Sequence, residues 1–98
     1  MKSLLPPVHP GEILKTEYLD ELGLSAGALA RKLHVPRTRI ERLVAEQSPV
    51  TIDTALRLAR YFDTTPQFWM NLQVSYDLKI AEVEKREELE AIPVIDAA

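Results

Sequence analysis

Residues 37–42 read Arg-Thr-Arg-Ile-Glu-Arg, three arginines in a 98-residue chain whose net charge is −3. An arginine guanidinium can donate to both O6 and N7 of guanine. A threonine can bond a base edge or touch a thymine methyl, and a glutamate can accept from cytosine N4. On a helix of about 3.6 residues per turn, Arg37, Thr38, Glu41 and Arg42 share one side and Ile40 and Leu43 the other. Arg39, Arg31 and Lys32 flank that side, where a cation meets phosphate and sets register but not sequence. Ser25 and Thr51 each begin a helix whose N-terminal amides can receive a phosphate oxygen. The other common chemistries lack their parts. The chain has no cysteine and two histidines, His9 and His34, far apart in sequence. That leaves no thiolate, no metal centre and no catalytic constellation, and no cofactor is expected.

The elements that must present these residues read as helices. Ile13, Leu14, Tyr18 and Leu22 recur at helical spacing from about Pro10, and Gly23 closes that run. Ser25 caps a second helix over Ala26 to Leu33, with Leu29, Ala30 and Leu33 inward. His34-Val35 breaks it, and Pro36 suits the first turn of a third helix that ends near Ala45. Thr51 or Thr54 caps a fourth, striped by Ala55, Leu58, Ala59 and Phe62. Thr65-Pro66 opens a fifth that runs to about Ala91, striped by Trp69, Leu72, Tyr76, Ile80 and Val83. Strand-like alternation is confined to Ile92-Pro93-Val94-Ile95. The expectation is one small all-α domain: an N-terminal arm at 1–9, a five-helix core at 10–75, and an acidic helical extension with a tail at 76–98. Helices two and three, joined by a short turn, form a helix-turn-helix at about 25–45. Ala30 stands where they cross, and Ile40 and Leu43 lie beneath the reading helix.

Charge is divided along the chain. Residues 31–60 carry seven Lys or Arg against three acids, and residues 76–98 carry three against seven. A basic middle and an acidic end suggest one surface for a polyanion and another for a basic partner. Met1 to Pro7 holds two leucines where a secretory signal needs about 7–15 apolar residues, and no stretch approaches the ~20 of a membrane span. A cytoplasmic protein without a membrane partner is expected.

Three stretches carry a resemblance: "PPVHPGEIL" (6–14), "LSAGALARKLHVPRTRI" (24–40) and "TIDTALRLARYFDTTPQFWMNLQVSYDL" (51–78). Through them the chain resembles the HigA or VapI-like antitoxins of the Cro/C1-type (XRE) helix-turn-helix family, from about Pro7 to Leu78. The resemblance implies a lambda-repressor-like fold with an extended C-terminal helix. It also implies a protein that neutralises a HigB/RelE-like ribonuclease toxin and represses its own operon as a homodimer on double-stranded operator DNA. Carried onto this chain, it makes Pro36–Ala45 the reading helix and Arg37, Thr38 and Arg42 the base contacts. Three positions depart from the family pattern: Ala26 stands for a common Gln, His34 for the turn glycine, and Glu46 lies in "AEQSP" where relatives commonly have an Asn-Gly-Lys-type loop.

The extension outruns the core. About 26 residues of helix span roughly 39 Å at 1.5 Å per residue. It is acidic, Glu82 and Arg86 stand at the (i, i+4) spacing of a pair that would help the helix, and Ile80, Val83 and Leu89 continue an apolar edge from Trp69 and Tyr76. That edge is the expected dimer or partner interface. Two other readings fit the same residues: an interaction module that binds only its toxin, and a stand-alone repressor.

Overall fold

The computed structural model describes residues 6–96. The first five residues of the arm, where a secretory signal was sought, and the last two of the tail lie outside these. The described chain is all-α, with six helices where the sequence pattern suggests five.

Helix α1 is a composite: an α-helical turn at Pro10–Ile13, a π-helical segment at Leu14–Leu19 and a closing turn at Asp20–Leu22. His9 caps it. Its Nδ1 accepts from the Gly11 amide at 2.9 Å, and Pro10 takes the first helical position, where no N–H is required. Inside the π segment the Asp20 amide reaches back five residues to the Lys15 carbonyl. One residue is thereby absorbed without advancing the face. Leu14 and Leu19 are both buried, while Leu22, expected on the inner stripe, is 60 % exposed. The simple helical spacing fails here because the core admits two leucines five apart.

Helix α2 (Ala26–Leu33) and helix α3 (Arg37–Val44) form the helix-turn-helix. Ser25 Oγ accepts from the Ala28 amide at 3.1 Å. Pro36 stands just outside α3 as its cap residue, with ψ 142°, and not in the first turn. Between the helices His34 takes the left-handed conformation, with φ 60°. The residue is exposed, and that backbone region is strained for any side chain. His34→Gly is therefore expected to raise the unfolding free energy by about 0.5–1 kcal/mol, relief of the left-handed strain exceeding the added freedom of the unfolded chain. Urea denaturation checks this: the midpoint should rise at unchanged slope, and a lower midpoint would show that the imidazole makes a stabilising contact.

Helix α4 (Ile52–Phe62) is capped by Thr51, whose Oγ1 accepts from the Thr54 amide at 3.3 Å. Helix α5 (Pro66–Glu84) is capped by Thr65, whose hydroxyl accepts from Phe68 at 3.1 Å. The expected continuous helix to Ala91 is interrupted at Lys85 (φ −105°, ψ 12°), and a short α6 (Arg86–Glu90) follows. Residues 93–96 have no regular structure, so the alternation there does not make a strand within this chain.

Helices α1 to α5 close over one core that includes Leu14, Leu29, Ala30, Leu33, Ile40, Leu43, Val50, Ala55, Leu58 and Trp69. Trp69 is its largest member. Tyr18 and Phe68 lie against it at ring-centre distances of 5.1 and 5.0 Å, and its Nε1 donates to Thr64 Oγ1 at 2.8 Å. The core ends where α5 leaves it. From Glu82 onward every described residue is exposed, and the molecule measures 57 × 22 × 22 Å.

Candidate nucleic-acid interface

Helix α3 is sealed on one side and open on the other. Ile40 and Leu43 are 0 % and 1 % exposed, and Arg37, Thr38, Glu41 and Arg42 face solvent. The sequence expectation for this face holds in position. It is altered in chemistry, because Arg37 Nε donates to Glu41 Oε2 at 3.0 Å. Two residues expected to read bases separately are an (i, i+4) ion pair. The Arg37 stem also lies over Gly27 in the first turn of α2, where a Cβ would stand 3.2 Å from its Nε. Glycine at 27 thus leaves the space across which Arg37 is laid. An exposed pair of this kind contributes only a few tenths of a kcal/mol, so a base or phosphate can displace it. Among the described residues the two terminal nitrogens of Arg37 make no hydrogen bond. Thr38 and Arg42 make no side-chain hydrogen bond or ion pair among the described residues.

Arg39 lies on the flank of α3, and its guanidinium is engaged within the chain. Its Nη1 donates to Asp53 Oδ2 in the first turn of α4. Arg57, one turn along, donates to the same oxygen at 2.9 Å and through Nη1 to the Leu33 carbonyl at 2.9 Å. One carboxylate thus ties the reading helix to α4, and Arg57 ties α4 to the end of α2. The hydrogen bonds from Arg39 and then Arg57 hold the Asp53 carboxyl below the usual carboxylate range. Such a bridge contributes while the carboxylate is ionised, and it is lost as pH falls through the depressed value.

Of the flanking residues, Ser25 and Thr51 spend their hydroxyls on their own helices. Lys32 borders an open groove between α2 and α4 with His34, Leu56, Arg57, Arg60 and Tyr61. Along the expected partner edge, Trp69 is fully enclosed and so is removed from any surface. Tyr76 is half-buried, with the His9 ring edge-on at 4.9 Å. Ile80 is half-buried, and Val83 and Leu89 are 65 % and 50 % exposed.

Four residues that position this face escaped the sequence reading. His9, noted there only as too far from His34 to share a metal, is a buried cap. Gly11 lets α1 approach the end of α3. Gln73 Oε1 accepts from the Val50 amide at 2.7 Å and so fixes the loop after the reading helix. Asp53 has an audible signal in Arg57 four residues on, but none for Arg39, fourteen residues back.

Comparison with known proteins follows the same outline. Residues 16–69 match the helix-turn-helix family model. Virulence-associated protein I of Dichelobacter nodosus is 55 % identical over 85 residues, 87 % of this chain and 79 % of that protein. Among solved structures, the Pseudomonas aeruginosa antitoxin HigA with the higBA promoter is 44 % identical at a TM-score of 0.89, covering 92 % of this chain and 99 % of that one. The antitoxin GraA in complex with its operator is 42 % identical at 0.88, covering 99 % of both. Among the described residues no helix is long and apolar enough to cross a membrane.

Proposed function

Because the chain belongs to the helix-turn-helix family of the HigA and VapI-like antitoxins, we propose that it is an antitoxin that represses its own operon by sequence-specific DNA binding and neutralises a small ribonuclease toxin. It is a regulator and not an enzyme. One observation carries the DNA half of the reading: α3 is locked on its apolar side and turns Arg37, Thr38 and Arg42 outward as a set. A reading helix needs both properties, since base edges discriminate only when the donors are held in place. Arg37 and Arg42 take guanine, Thr38 takes a thymine methyl or base edge, and Lys32 with the amide ends at Ser25 and Thr51 meets phosphate.

The toxin half and the dimer rest on the extension. Its exposed acids suit a basic ribonuclease surface, and Ile80, Val83 and Leu89 offer an apolar edge to a second copy. A two-fold pair would set two reading helices about 34 Å apart on a near-palindromic operator.

The test is fluorescence anisotropy on labelled DNA from upstream of the gene, beside a scrambled duplex, at near-physiological salt. Preference for the native duplex is expected at about a thousandfold, and the Arg37→Ala, Arg42→Ala double variant should lose it. Equal weak binding to both duplexes would favour an interaction module that acts on its toxin alone.

A further inference from the structure

We propose that Asp53 keeps Arg39 off the DNA backbone and thereby sets the strength and salt dependence of binding. The inference deepens the DNA-binding reading above and rests on it.

Arg39 lies on the flank of the reading helix, where a cation is worth most to a polyanion. Its guanidinium is bonded to Asp53, and the two side chains are 41 % and 52 % exposed. The bridge lies at the surface, where a phosphate has to compete with the Asp53 carboxylate for the guanidinium. A condensed cation is released only when a cation of the protein neutralises a phosphate, so an arginine held by its own carboxylate adds nothing to the salt dependence. The second arginine of the cluster does not replace it, because Arg57 remains anchored on the Leu33 carbonyl and on Asp53. The arrangement braces α3 against α4 and withholds a charge from nonspecific DNA.

The experiment compares the salt dependence of binding for the full chain, Asp53→Asn, Arg39→Ala and the two combined, on the native upstream duplex and on its scramble. With Asp53 neutralised, the slope of log K against log salt should steepen by about 0.9, the value of one phosphate contact, and binding at ~0.15 M salt should tighten about fivefold on both duplexes. Arg39→Ala alone should leave the slope unchanged, and in the Asp53→Asn background it should remove the added 0.9. Asp53→Glu should restore the original slope, which separates charge from helix stability, and circular dichroism confirms that each variant is folded. The proposal is overturned if Arg39→Ala alone flattens the slope by about 0.9, or if Asp53→Asn leaves it unchanged. Failure of the operator reading looks different: native and scrambled duplexes would bind alike in every variant, while the slopes on either duplex would still report on Asp53.

Discussion

Gly11→Ala should cost this domain about 3 kcal/mol or more, a larger loss than its single added methyl group suggests. Gly11 is buried in the first turn of α1, against the last turn of the reading helix. A Cβ built there would lie 1.8 Å from the Leu43 carbonyl oxygen and 2.8 Å from its carbon. Both are backbone atoms, so no rotamer change relieves the clash. That carbonyl also accepts from the Glu46 amide, so moving it frays the end of α3. Ordinary over-packing costs about 1–3 kcal/mol, and a clash with main chain belongs at or above the top of that range. At ~4–8 °C per kcal/mol for a domain of this size, the melting temperature should fall by about 12 °C or more. Gly23→Ala is the control, because Gly23 is left-handed with open space around it and should lose only about 1 kcal/mol. Equal melting of the two variants would mean that α1 does not rest on α3.

The second large effect belongs to Trp69. Removing its ring opens a cavity beneath Tyr18, Phe62 and Phe68 and leaves the Thr64 hydroxyl without its donor. Trp69→Ala should cost about 3–5 kcal/mol, a large part of the ~5–10 kcal/mol available to a small domain. Trp69→Phe keeps most of the ring volume and should cost about half as much. Urea unfolding followed by far-ultraviolet dichroism measures both. A loss below about 1 kcal/mol for the alanine variant would show that the indole is not central to the core.

How far the sequence could be read follows from how local each cause is. Ser25, Thr51 and Thr65 act on amides three residues away, and Gly23 acts on its own turn, so the starts of α2, α4 and α5 and the end of α1 were legible in order. So was the outward face of α3, because Ile40 and Leu43 fix its rotation. The π segment was not: it exists because Leu14 and Leu19 meet one core, and spacing alone assigns that place to Leu22. The interruption at Lys85 has no breaker residue to announce it, and it falls where α5 has left the core that would hold it straight. Arg39 with Asp53, and Gln73 with the Val50 amide, are tertiary pairs. The second is invisible in principle, since its partner is a backbone N–H that any residue but proline supplies.

The length of the molecule has a final consequence. Residues 31–60, with their excess of seven cations over three acids, lie in and around the core, whereas the acidic stretch from Glu82 stands clear of it along a 57 Å axis. Opposite charges held apart along that axis make an electric dipole, and the field of a polyanion exerts a torque on a dipole before any atom touches. The chain is turned as it approaches, basic side leading and acidic end trailing. The orientation is weakened by salt, since the Debye length at ~0.15 M is about 8 Å. A protein acidic in sum can in this way meet DNA as though it were basic.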